Sequence, residues 1–415
     1  AYSSMALTKG VKVTVIAEGK QVAQVQLTRR TDWTWKRQIS LSAKYAERKL
    51  DIKATATFDD GKTATCDYAY TPQAENAVPS LAADWTNLGG NAAHTGIAAD
   101  TLGSDMRLAW TCNLGSNIFM SSPLIYGGNV YVATVDENGG NGCAVFALDG
   151  KTGRMLWHTP VDYSVRGTIV AAAGHIFAQD ISGVLYMIDA ADGKVLKRRQ
   201  MEVDGLPVLD DGLATKDGIV YAGSGQALCA VDANSGELIW KGKGWKRGEG
   251  TVSTITVTDN DRLVHGVQWT GLFANCVKDG SFLWQNLGDG LRFRASSPSA
   301  HGSLLYTTSD DSFYIIDEST GKVAVRKPLA MKMGVPSTPL VTGSEIIFGT
   351  GDQGLVALDS KTLDRKWQFK TGTSLVFTTP YTHQPFATVA TSPVLAGENV
   401  YFGASDGCIY GVDRT

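Results

Sequence analysis

One motif recurs seven times along the C-terminal three quarters of this chain, and it constrains the fold more than any bulk property. It reads AVFALDGKTGRMLW, VLYMIDAADGKVLK, ALCAVDANSGELIW, LFANCVKDGSFLW, FYIIDESTGKVAV, GLVALDSKTLDRKW and finally CIYGVD. In each copy an apolar run ends near an aspartate, a turn follows, and a second run carries a large residue. The aspartates are Asp149, Asp189, Asp232, Asp279, Asp317, Asp359 and Asp413, spaced by 40, 43, 47, 38, 42 and 54 residues. Self-similarity at such a period marks one supersecondary unit that buries its faces only by stacking on its neighbours.

A second pattern precedes each aspartate, as in SSPLIYGGNVYVAT, TIVAAAGHIFAQD, STPLVTGSEIIFGTGDQG and TSPVLAGENVYFGASDG. Two short apolar runs flank a turn of Gly, Asn or Ser. Their β-branched residues and alternation specify strands, and the 46 glycines fit many tight turns. No segment has the periodicity of an amphipathic helix. Each repeat therefore supplies four antiparallel strands, and seven such repeats predict a seven-bladed β-propeller over residues 107–415. The last repeat stops after its third strand at Thr415, so residues 107–112 are expected to supply the missing outer strand. Trp110 then takes the place held by Trp157, Trp240, Trp284 and Trp367, while Lys197 and Val325 replace the indole in two blades. Closure of this kind removes an open sheet edge.

Residues 1–75 do not follow the blade pattern. VKVTVIAEG, KQVAQVQLTR, KRQISLSAKY, KLDIKATATF and KTATCDYAYT alternate like strands and predict a small immunoglobulin-like β-sandwich. Its single Cys66 excludes the intersheet disulfide of antibody domains. Residues 76–106 read as a linker and lead-in to the ring, making the whole chain all-β. The chain opens on Ala1-Tyr2-Ser3-Ser4, which reads as a processed form or a piece of a longer protein.

The net charge of −3 gives no electrostatic footprint for nucleic acid, and no apolar stretch is long enough to span a membrane. Six scattered cysteines form no CxxC pair, so zinc-ribbon and thioredoxin chemistry is excluded; they read as small hydrophobes. The register places Cys408 opposite Thr111 and not Cys112, which argues against a disulfide between the two ends. The six histidines are dispersed over different repeats, Gly223-Ser224-Gly225 lies in a strand-to-strand turn, and Asp136 to Gly142 lacks the spacing of a calcium loop. No catalytic residue and no metal ligand emerge.

From Asp84 onward the chain resembles the quinoprotein-like, or PQQ-like, β-propeller family. The residues that carry the likeness are the W-x-x-x-G-G-N-x-x-H-T-G segment from Trp85 to Gly96, the Ser-Pro first strands, and the blade ends of the type A-x-D-x-x-T-G-x-x-x-W. It looks like the periplasmic, BamB-like members more than the cofactor-bearing dehydrogenases. Those dehydrogenases stack their quinone on a disulfide between adjacent cysteines and have eight blades. This chain has no Cys-Cys pair and seven repeats, so the resemblance implies neither PQQ nor calcium. Domain order alone also resembles the C-terminal part of secreted bacterial calcineurin-like metallophosphoesterases, although that family's metal-binding signature is absent.

These likenesses imply a noncatalytic binding or scaffold module of an exported bacterial protein, periplasmic or at the cell surface, or the accessory tail of a metallophosphoesterase. The alternative is an enzyme in its own right, a quinoprotein oxidoreductase or a hydrolase. Loops leading into the innermost strands of a propeller gather around its axis. Here they carry Arg166, Trp245, Arg247, Arg294, Lys332, Tyr381 and His383. Cations beside aromatics suit a protein partner, or a carbohydrate or anionic group.

Overall fold

The computed structural model describes residues 8–29, 35–37, 39–72, 83–102, 108–135, 142–201, 212–223, 228–242, 253–267, 271–291, 296–333, 335–375 and 386–414. At the N-terminus, strands β1 (Thr8–Ala17), β2 (Lys20–Gln26), β5 (Leu50–Phe58) and β6 (Thr63–Tyr70) form one antiparallel sheet of order β2-β1-β5-β6. β3 (Thr28–Arg29) and β4 (Trp35–Lys36) make a separate hairpin. Glu18 and Gly19 both take positive φ, 51° and 73°, the geometry a tight β1–β2 hairpin requires.

The expected sandwich is not formed among the described residues, which hold a single four-stranded layer. KRQISLSAKY adds no strand beyond β4: the chain runs irregularly and closes a single 3-10 turn at Ala43–Tyr45. Its Ile39, Leu41 and Tyr45 instead pack on Val15, Ala17 and Leu50. Alternation puts apolar side chains on one side of an extended segment, and such a segment covers a sheet without joining its ladder.

Residues 124–413 fold into seven consecutive antiparallel sheets, called here blades 1 to 7. Six have four strands, and the last has three: Val394–Ala396, Asn399–Gly403 and Ile409–Asp413. Innermost strands of blades 1 to 6 touch in sequence around the axis. The repeated aspartate is turn chemistry. Asp149 Oδ1 accepts from the backbone N–H of Lys151 and Thr152 at 3.1 and 2.8 Å and from the Thr152 hydroxyl at 2.8 Å. Asp232 and Asp317 repeat the arrangement. These are Asx turns, which fix the connection between the third and fourth strands.

The glycine that follows makes room for the indole of the preceding blade. Gly153 has φ 67°, and a Cβ there would lie 2.4 Å from the ring of Trp110. The indole N–H then donates to a turn carbonyl of the next blade. Trp110 reaches Gly150 O at 2.9 Å, Trp157 reaches Ala190 O at 3.1 Å, Trp240 reaches Val277 O at 2.9 Å, and Trp284 reaches Glu318 O at 2.8 Å. The wedge therefore combines buried apolar area with a satisfied polar tip.

Closure of the ring departs from expectation. Residues 108–112 lie outside any strand, Arg107 is outside the described residues, and Ile409 at the outer edge of blade 7 is 85% exposed. Trp110 nevertheless occupies the predicted wedge, held forward onto blade 1 by its indole and not backward onto blade 7 by a ladder. The Trp367 N–H instead donates to the buried carboxylate of Glu345 at 3.0 Å. That carboxylate also holds Lys366 at 3.2 Å and Arg414 at 3.4 Å.

The axis itself supplies the stronger closure. In each blade the first strand is the innermost edge, and every second residue of it turns its N–H and C=O away from the hairpin partner. Unpaired and buried, those groups would be costly. Residues 85–98 cross the axis and satisfy them blade by blade. Trp85 and Ile125 exchange both bonds at 2.7 and 3.0 Å; Ala171 N–H donates to Thr86 O at 3.2 Å. The Asn87 amide pairs with Thr215, accepting from its N–H at 2.8 Å and donating to its C=O at 3.2 Å. Val257 and Ala300 donate to Ala92 O and Ala93 O at 2.8 and 2.9 Å, and Leu395 donates to Gly96 O at 2.8 Å. At blade 6, Gly96 (φ 69°) lies against Leu340, where a Cβ would come within 3.3 Å.

Candidate functional site: the axial cavity

Three residues before the six bonded positions stand Ser122, Thr168, Gly212, Thr254, Ser297 and Ser392, and Thr338 holds the matching place in blade 6, three before Val341. Six of the seven carry a hydroxyl. Three residues of strand span about 10 Å, so the hydroxyl belt encircles the axis roughly that far from residues 85–98. The segment is a floor, the belt is a wall, and Ile118, Phe119 and Met120 form part of the mouth. Together they enclose a cavity of about 650 Å³.

Part of the belt ties blades together. Thr254 N–H donates to Ser297 Oγ at 2.9 Å, Thr338 N–H donates to Ser392 Oγ at 3.0 Å, and Thr254 Oγ1 donates to Thr168 Oγ1 at 3.4 Å. Three side-chain atoms of lining residues, Ser121 Oγ, Thr338 Oγ1 and His94 Nε2, are themselves buried away from the cavity and have no hydrogen-bond partner among the described residues. His94 sits in the floor at φ 58°, with Nδ1 3.0 Å from Pro298 O and 3.2 Å from Thr256 Oγ1. Burial pushes its pKa down to about 4, so the ring is neutral near pH 7. A neutral ring that donates from Nδ1 to a carbonyl keeps Nε2 as an acceptor. Among the described residues, no Asp, Glu, Lys or Arg lines the cavity. Among the described residues, no group of three His, Cys, Asp or Glu is placed to hold a metal ion, and all six cysteines are free thiols. No helix among the described residues is long and apolar enough to cross a membrane.

The structure describes two of the seven residues singled out from sequence. Arg166 stacks its guanidinium 5.7 Å from the Phe119 ring centroid, beside the mouth. Lys332 places its ammonium 4.2 Å from the Phe386 ring centroid. Neither lines the cavity. Trp245, Arg247, Arg294, Tyr381 and His383 lie outside the described residues. Asp162, four residues before Arg166, pairs with Arg198. The residues that build the cavity are Trp85, His94 and the belt. Their signal is present in the Trp85–Gly96 segment and in the Ser-Pro and Thr-Pro starts of the innermost strands, which the sequence reading used for fold and family and not for a site.

Seven small antiparallel sheets around one axial cavity define a β-propeller. A family model described as "Outer membrane protein assembly factor BamB" matches residues 107–265 and 274–415, and the chain belongs to this family of PQQ-like propeller repeat proteins. BamB of Burkholderia pseudomallei is 26% identical over 186 residues, 44% of this chain and 46% of that protein. Tetrathionate hydrolase of Acidithiobacillus ferrooxidans is 22% identical over 269 residues, 59% of this chain and 52% of that enzyme. The chain thus spans about half the length of the curated relatives it matches. The crystal structure of BamB from Moraxella catarrhalis superposes with a TM-score of 0.55 at 15% identity, covering 73% of this chain and 87% of that one. A likeness at that identity is one of fold.

Proposed function

We propose that the chain is a noncatalytic binding module of an exported bacterial protein, working in the periplasm or at the cell surface and taking its ligand at the mouth of the axial cavity. The observation that carries this reading is the run of exposed apolar side chains on the loops of blades 7, 1 and 2. Leu375 is 75% exposed, Ile118 51%, Phe119 44% and Tyr163 55%. Large apolar groups gathered on one face of a soluble fold mark an interaction surface. Arg166 and Lys332 add cations at that face for an anionic group on the same partner. The family's description as an assembly factor fits such a scaffold. The sheet that precedes the propeller also suits the accessory tail of a metallophosphoesterase.

The enzymatic alternative draws on the tetrathionate hydrolase relative. The described part of the cavity wall offers it little, since among the described residues the only titratable side chain lining it is a buried, neutral imidazole held by its Nδ1.

A photo-crosslinking residue at Phe119 or at Leu375, compared with one at Leu238 on the outer rim, tests the docking face in cells of an expressing bacterium. Discrete adducts from the two mouth positions and none from the rim are expected. Equal crosslinking from all three would refute the assignment of the face.

A further inference from the structure

We propose that strand β6 is a self-association edge whose partner is the β6 of a second copy of this chain, paired antiparallel about a two-fold axis at Cys66.

An outer strand leaves a row of backbone N–H and C=O groups open to any other strand, and folded proteins guard such edges with bulges, Lys, Arg or Pro. This chain does so widely. The outer strand of each four-stranded blade shifts register against its neighbour, and five of the six carry Lys, Arg or Pro. At the opposite edge of the N-terminal sheet, β2 is paired through a register shift and carries Lys20. β6 has neither device. It runs straight along β5 over eight residue pairs, Thr63 to Ala69 are all exposed, and its one charge is Asp67.

The ladder shows which backbone groups are free. Phe58 N–H donates to Lys62 O at 2.9 Å across the β5–β6 turn. Bonded and non-bonded pairs alternate along an antiparallel ladder, so Ala64, Cys66 and Tyr68 bond to β5 while Thr63, Thr65, Asp67 and Ala69 turn their N–H and C=O outward. Thr55 Oγ1 and Thr65 Oγ1 approach to 3.4 Å, as side chains of a non-bonded pair do. Among the described residues these outward groups have no partner.

What points to a second copy is that β6 fits itself in one register. Two registers bring seven residues of each strand face to face, Thr63–Ala69 or Ala64–Tyr70. The second is centred on Asp67 and sets two carboxylates against each other, which is destabilising. The first is centred on Cys66. It sets Asp67 against the partner's Thr65, Tyr68 against the partner's Ala64, and Cys66 against the partner's Cys66. The outward residues of the two strands then meet and exchange about eight backbone hydrogen bonds. Tyr68, 49% exposed, lies on the face that buries Val15 and Leu50, so the pairing also carries that apolar face across the axis.

Sedimentation velocity of the whole chain under reducing conditions, in a series up to about 100 μM, tests the pairing, and a dimer is expected. Thr65→Pro removes an outward N–H that β5 does not use, so the melting temperature should hold while dimerisation weakens at least about tenfold. Should proline disturb the sheet, Cys66→Asp changes an exposed side chain and sets two carboxylates face to face, with the same loss expected. Opposed residues of a non-bonded pair have Cα atoms about 4.5 Å apart, within disulfide reach. Copper phenanthroline as added oxidant takes two electrons, two thiol protons leave, and Cys66 joins the partner's Cys66. This covalent dimer should form in the unaltered chain, vanish in Cys66→Ser and slow at least about tenfold in Thr65→Pro. A monomer throughout the series overturns the proposal, as does a dimer that Thr65→Pro and Cys66→Asp both leave intact, or one that gives no Cys66 bond. None of these readouts involves the mouth, so the pairing edge and the docking face stand or fall separately.

Discussion

Replacing Asn87 with alanine is the sharpest test of the floor as the element that closes the ring. Asn87 is buried, and its amide does for Thr215 what a neighbouring strand would do, accepting from the N–H and donating to the C=O. Thr215 faces Val220 across its hairpin in a pair that leaves these two backbone groups pointing at the axis. Alanine at 87 orphans both. Each buried orphan costs about 1–3 kcal/mol, so the pair should cost roughly 2–6 kcal/mol. At about 2 °C per kcal/mol for a domain of this size, the melting temperature should fall by about 4–12 °C. Differential scanning calorimetry, or circular dichroism in the β-sheet band, reads the shift directly. A fall under about 1 °C with unchanged cooperativity would show that Thr215 does not depend on Asn87 and that the floor is a passenger.

Two further outcomes follow from the same structure. Gly153→Ala and Gly127→Ala both place a side chain at positive φ, 67° and 56°, but only the first meets the Trp110 ring; nothing lies within 4 Å of the second. Chemical denaturation should find the Gly153 variant less stable by about 1–3 kcal/mol relative to the other, the cost of overpacking, and equal losses would refute the wedge. His94 and His265 are buried with pKa values pushed down to about 4, whereas an unfolded histidine titrates near 6.5. Between pH 6.5 and 4 the unfolded chain takes up protons that the folded chain refuses. Stability should therefore decline across that window as pH falls and level off below it. His94→Asn, a residue that tolerates positive φ, should make the decline shallower, and an identical slope in the variant would contradict this account.

The N-terminal region shows one limit of pattern reading. KRQISLSAKY alternates as a strand should, and its apolar residues do reach the core, yet it lies across the sheet instead of pairing with it. Alternation encodes which side is buried and says nothing of which backbone takes the ladder bonds. The outer rim shows the same limit from the other direction. Trp110 was legible as the wedge of the closing blade because its spacing matches the other indoles. The ladder expected beside it is a backbone matter, and residues 108–112 do not form it.

What the sequence determined by itself is therefore everything set by local chemistry and period. That covers the seven units, their strands, the aspartate turns and the glycine-and-indole wedge, since each depends on residues a few positions apart repeated every forty or so. The path of residues 85–98 across the axis was decided only in the folded ring. Asn87 meets Thr215 at a separation of 128 residues, and His94 meets Pro298 at 204. Such partners leave no local signature. Each of these bonds ends on a backbone group of the kind every residue carries, and it is the closing of the inner edges around one axis that leaves those groups in need of a partner.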